Sequence, residues 1–162
     1  MSEIIDTASK DIKLFIDEPL RQFAYQAVDF FLKENDAVKT NQLQSIPGVI
    51  SGGGLAALKK MVDSQREKNS KAKNKAFWNF LHQHLFVSEM QKDTAYSFHH
   101  FLRKQSFIQP HLKYTTTAAN KKQRSQMNKQ NKNTIDNVMD QLLSVYFEHF
   151  NCHYFYQTQG AA

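Results

Sequence analysis

The sequence predicts an all-α protein, one compact domain of about six helices, and three observations lead there. Apolar residues recur at three- and four-residue steps through several long stretches, the spacing that lines one face of a helix. Glycine and proline are scarce, 5 and 3 in 162 residues, whereas a sandwich or barrel needs a turn about every eight to twelve residues. Aromatics are frequent and mostly phenylalanine. The length suits a single domain spanning residues 1–162, and a chain of this size buries roughly two thirds of its unfolded surface.

Taken in order, Ile4, Ile5, Ile12, Phe15 and Ile16 suggest a short first helix. Asp17 can cap the next, with Pro19 tolerated in its first turn because that amide is unpaired anyway. Leu20, Phe23, Ala24, Ala27, Val28 and Phe31 then form one apolar stripe, ended by Asn35-Asp36. A shorter segment, Ala37 to Ser45, leads into Ile46-Pro47, which is expected to close a helix because proline disfavours helical geometry in the residue before it. Gly52-Gly53-Gly54 supplies a sharp turn, and Leu55 opens a second stripe through Leu58, Met61 and Val62. Asn69-Ser70 interrupts it. Phe77, Phe80, Leu81, His84 and Leu85 restore the helical step, and Ser88 with Gln91 reads as a capping box for a helix through Phe98, Phe101 and Leu102. Pro110 closes that region. The last helix is the clearest: Ile135, Val138, Met139, Leu142, Leu143, Tyr146, Phe147 and Phe150. The tail from Gln157 is expected to fray. Leu20, Phe23, Ala27, Leu55, Leu142 and Phe147 are expected in the core.

The formal charge of +6 and pI near 9.4 point to an anionic partner. A single cysteine, Cys152, leaves no internal disulfide framework and fits a reducing compartment. No apolar run approaches the ~20 residues of a membrane span, and the first residues lack the basic start and apolar core of a signal peptide. Cytoplasm is the expected location, with no membrane partner. Two stretches hold the charge. Lys59, Lys60, Arg66, Lys68, Lys71, Lys73 and Lys75 face only Asp63 and Glu67. Lys113 to Lys132 carries Lys113, Lys121, Lys122, Arg124, Lys129 and Lys132 with no acid and few apolar residues, so it is expected to be exposed and ordered by a partner if at all.

Catalytic constellations are thin. The carboxylates form no acid–base pair, and the glycine run lacks the lysine-serine ending of a phosphate-binding loop. His149 and His153 stand one helical turn apart with Cys152 between them, which is metal-ligand spacing, so a metal-dependent hydrolase is one alternative. His82 and His84, and likewise His99 and His100, diverge to different faces. The basic stretches suit contacts to a phosphate backbone, where charge sets affinity and sequence is not read. Tyr114 and Phe107 are candidates to stack on unpaired bases, whereas Phe80, Phe98, Phe101 and Phe147 are expected to pack inside.

The pattern Ala24-Tyr25 with Val28, then Ile46-Pro47 with Ile50, then Gly54-Leu55 with Leu58, followed by Phe77-Trp78 and Leu81, resembles the small subunit of the Cmr complex, the type III-B CRISPR RNA-guided effector. The resemblance covers roughly residues 20–86. Met61 stands where that family usually has phenylalanine, Gly52-Gly53 where it is more often polar, and small subunits of related type III complexes share the helical form. The resemblance implies a helical bundle that stacks with further copies of itself as a minor filament, beside backbone and large subunits. It lines the channel for guide RNA and target RNA and does not cut, with no cofactor. The residues expected to touch the RNA backbone are Lys59, Lys60, Arg66, Lys71, Lys73 and Lys75, then Lys121, Lys122 and Arg124. A stand-alone helical nucleic-acid-binding protein and a helical adaptor for protein alone remain alternatives.

Overall fold

A computed structural model describes residues 9–39, 41–68, 71–87, 97–113 and 120–159. Helix α1 (Ser9–Phe15) passes through a π-helical turn (Ile16–Leu20) into α2 (Arg21–Glu34). A one-turn α3 (Asn41–Gln44), then α4 (Ile46–Lys68), α5 (Ala72–Phe86), α6 (Phe98–Arg103), a 3-10 turn (Gln109–His111) and α7 (Lys121–Thr158) follow. Every regular element among the described residues is helical, and the fold is the all-α bundle that the apolar spacing predicts.

The first correction concerns Asp17 and Pro19. No new helix starts at Asp17; the backbone stays helical from α1 into α2. Proline lacks an amide hydrogen, and its ring crowds the carbonyl four residues back. Widening the turn to π geometry relieves that crowding, so a bulge absorbs Pro19 inside the helix. The expected stripe of α2 is buried, and the helix ends where predicted, at an extended Asn35 whose side chain donates to the Phe31 carbonyl at 3.1 Å.

The second correction concerns Ile46-Pro47. These residues open α4 instead of closing a helix, since Pro47 falls in a first turn where its missing donor is not needed and Ile46 is buried. The expected glycine turn shrinks to one residue. Gly52 and Gly53 lie within the helix, and only Gly54 departs, with φ 64° and ψ −146°. The Leu55 amide donates to Asp140 Oδ1 at 2.7 Å. A carboxylate from α7 thereby caps the restarted half of α4. A Cβ on Gly54 would collide with that same carboxylate. Leu55, expected in the core, is half-buried against it.

The core forms where α2, α4 and α6 pack on α7 and α5 packs on α4, and leucine and phenylalanine fill most of it. Phe23 stacks on Phe101 with centroids 4.0 Å apart and planes within 4°. Phe98 meets Tyr146 edge-on at 4.6 Å. His84, buried and stacked against Phe23 and Phe80, hydrogen-bonds the Tyr146 hydroxyl, and burial pushes that phenol well above its ordinary pKa. Tyr154 secures the connection after α2: its hydroxyl accepts from the Val38 amide at 2.7 Å and donates to the Val38 carbonyl at 3.1 Å. Trp78 donates to Gln42 at 3.1 Å, which satisfies the indole where it is buried.

At 38 residues, α7 is about 57 Å long and organises the molecule. Its stripe from Ile135 through Tyr154 is buried. Residues 121–130 are exposed apart from half-buried Met127. The acid-free segment 113–132 is therefore helix from Lys121 onward, capped by the Asn120 side chain accepting from the Gln123 amide at 2.9 Å. Residues 114–119, and with them Tyr114, lie outside the described residues. The Ser88/Gln91 capping box does too, and α6 is capped instead by Ser97, whose hydroxyl accepts from the His100 amide. The tail stays helical through Thr158, beyond the expected fraying point.

Candidate nucleic-acid interface

The expected RNA-contacting residues sort by element into two groups. In the first, Lys59 and Arg66 are engaged by protein. Lys59 Nζ lies 3.0 Å from Asp63 Oδ2, and Arg66 donates from Nε to Asn79 Oδ1 at 2.8 Å while standing 3.7 Å from Asp63. The Lys59 hydrogen bond leads in holding the Asp63 carboxyl below its ordinary pKa, with His82 and Arg66 assisting. Burial, then Arg66, pushes His82 below its ordinary value. Lys75 and Arg66 share a groove of about 340 Å³ with Asp63, Glu67 and Asn79. Lys59 and Arg66 are thus compensated within the protein.

Lys60, Lys71, Lys73 and Lys75 are exposed and form no ion pair among the described residues. Lys71 is the N-cap of α5, makes no side-chain cap, and is followed by a first turn with no acid. Helix starts favour anions and capping oxygens. Three lysines at this position add positive charge to an end that is already positive, which disfavours folding and favours an anionic visitor.

The second group, Lys121, Lys122 and Arg124, occupies the exposed start of α7, and the sequence stays acid-free until Asp136. Lys129 and Lys132 extend this surface. Lys122 and Lys129, seven residues apart, lie on one face of the helix. Lys132 pairs with Asp136 at 2.8 Å, whereas Lys121, Lys122, Arg124 and Lys129 form no ion pair among the described residues. Asn131 interrupts the exposed run for a structural reason: buried, it accepts from the Lys113 amide at 2.8 Å and donates to the Lys113 carbonyl at 2.7 Å. That clamp fixes Lys113 against α7 beside the basic surface. Asn131 was not singled out from sequence, and Lys129, although part of the acid-free stretch read there, was not among the residues expected to touch RNA.

The other candidates take different positions. Phe107, a possible base stacker, packs half-buried with its edge on Phe15 at 5.1 Å. His149 is half-buried with Nε2 unpartnered, Cys152 is exposed, and His153 is held by Asp29 at 2.8 Å. Among the described residues, no three His, Cys, Asp or Glu side chains gather into a group able to hold a metal ion. His99 is buried and meets Asp136 at 2.8 Å. No described helix is long and apolar enough to cross a membrane. Comparisons of the chain with protein-family models, with curated proteins and with solved structures give no match.

Proposed function

We propose that this protein is a non-catalytic small subunit of a type III CRISPR RNA-guided effector, holding guide and target RNA by their sugar-phosphate backbones. One observation carries the RNA part: an exposed helical stretch at the start of α7 that bears Lys121, Lys122, Arg124 and Lys129 with no acid within it. Uncompensated charge of one sign opposes the compact state. Phosphates relieve it, and the release of their condensed counterions drives binding. The interleaved Gln126, Asn128 and Gln130 supply hydrogen bonds suited to phosphate and sugar oxygens. The uncapped, lysine-bearing start of α5 offers a second surface of the same kind.

The effector assignment rests on the resemblance over residues 20–86. Within such a complex the partners are guide RNA, target RNA, backbone and large subunits, and further copies of the chain. The test has two arms. Titration of the purified chain with RNA is expected to show affinity falling steeply with salt; salt-independent binding, or none, overturns the RNA reading. Purification from the native cells is expected to bring down guide RNA and effector subunits. A chain recovered with RNA alone would be a stand-alone RNA-binding protein and overturns the effector assignment.

A further inference from the structure

The surface where α2 meets the C-terminal end of α7 carries a ladder of planar groups. The Arg21 guanidinium lies over the Tyr25 ring, 5.8 Å from its centroid. Tyr25 stacks on His153 at 4.2 Å with planes within 10°. His153 faces Tyr156 at 6.4 Å and 20°. The middle rung is fixed, because Asp29 Oδ1 meets His153 Nε2 at 2.8 Å and also accepts from Gln157 at 3.1 Å. His153 is nearly covered, with 12% of its side chain exposed, whereas Tyr156 at the end is 74% exposed. A tyrosine so exposed covers no core. It presents an amphipathic ring to solvent on a rigid, nearly parallel support.

We infer that Tyr156 is a stacking platform for an unpaired nucleobase, with the base adding a rung beyond Tyr156. This rests on the RNA reading above but concerns a different site and a different part of the nucleotide. Arg124 and Tyr156 are separated by about 48 Å along α7. The C-terminal end of a helix is electronegative, and Asp29 adds a carboxylate nearby. Phosphate is disfavoured at this end, so attraction there comes from the face of a base. Stacking of that kind tolerates any sequence and requires a single strand, and an uncharged ring releases no counterions, so it leaves the salt slope to the phosphate contacts.

The experiment uses the full chain and an RNA strand of about 20 nucleotides, long enough to follow α7 even at about 3.4 Å per nucleotide. Binding is compared with that of the same strand carrying abasic sites and with a duplex. Tyr156→Ala is expected to weaken binding of the intact strand about tenfold, to leave the abasic strand and the duplex unchanged, and to preserve the salt slope. Tyr156→Phe is expected to bind as the parent does. Equal binding of the intact strand by parent and Tyr156→Ala overturns the platform while the backbone reading stands. An equal loss on the abasic strand also overturns it, because Tyr156 would then be meeting the backbone. A parent chain that binds none of these RNAs overturns both.

Discussion

At Gly54 two constraints meet on one atom. The backbone there, φ 64° and ψ −146°, lies in a region that is essentially glycine's alone, and a methyl group would strike the Asp140 carboxylate that caps Leu55. Gly54→Ala is expected to lower stability by about 2 kcal/mol or more, measured as a shift of the urea midpoint. Asp140→Ala alone should lose about 1 kcal/mol as a missing cap. In the double variant the collision is gone and the dihedral strain remains, so the two losses should combine to less than their sum. The glycine run was visible in the sequence, but which glycine breaks the helix was not, because the cap that decides it comes from 85 residues away. Asp136 is the second residue with a sharp expectation. Burial raises its pKa, but hydrogen bonds from His99 and Lys132 outweigh that and hold it below its ordinary value. A carboxyl depressed on folding stabilises the fold above its unfolded pKa of about 3.9 and loses that contribution as pH falls through the folded value. Asp136→Ala strands the buried His99 and should lower stability at pH 7 by about 1–3 kcal/mol. The gap from the parent should narrow in urea titrations below the unfolded carboxyl pKa.

Among the elements, α5 and α7 both begin with cations where helices favour oxygens and anions. Lys71→Asp should therefore stabilise the fold by about 1 kcal/mol, by supplying both a cap and a favourable charge, while weakening RNA binding. A thermal melt and a binding titration on one variant give both signs, and a variant that loses stability would show that Lys71 serves the fold. Opposed effects of this kind mark a position kept for function at the expense of stability. The helices were legible wherever an apolar stripe persisted, as in α2 and the later two thirds of α7. The stripe failed as a guide at residues 121–130, where the helix continues without a buried face. Lysine, glutamine, arginine and methionine favour helix without any core contact, and Asn120 caps the start. Polarity there signalled exposure correctly but carried no information about backbone order. Pro19 and Pro47 misled for the related reason that a first turn, or a π bulge, accommodates proline as readily as a helix end does. Of the candidate site, the charge was legible in full, and Asp63 stands at helical spacing from both Lys59 and Arg66; the hydrogen bond that holds Arg66 was not legible, since Asn79 joins it only once α4 and α5 fold together.

Over the whole molecule the net charge of +6 is unevenly spread. Residues 9–36 hold six carboxylates (Asp11, Asp17, Glu18, Asp29, Glu34, Asp36) against four cations (Lys10, Lys13, Arg21, Lys33), whereas residues 121–135 hold five cations and no carboxylate. Crowded like charges on an exposed helix repel one another, and the repulsion is screened as the Debye length shrinks from about 30 Å at 0.01 M salt to about 10 Å at 0.1 M. Salt should thus stabilise the free protein and weaken its hold on RNA, two responses of opposite sign from one set of side chains. The variant Lys121→Gln, Lys122→Gln, Arg124→Gln, Lys129→Gln separates them. Glutamine keeps helix propensity close to that of lysine and arginine, so the fold should survive within about 0.5 kcal/mol and its stability should depend less on salt. For every cation that pairs with a phosphate in the parent, its removal should reduce the slope of log affinity against log salt by about one. Urea midpoints and RNA titrations at the two salt concentrations read both effects. A parent chain whose stability falls with added salt would mean that the charges on α7 are held by attraction within the protein. They would then have no unmet charge to offer an RNA backbone.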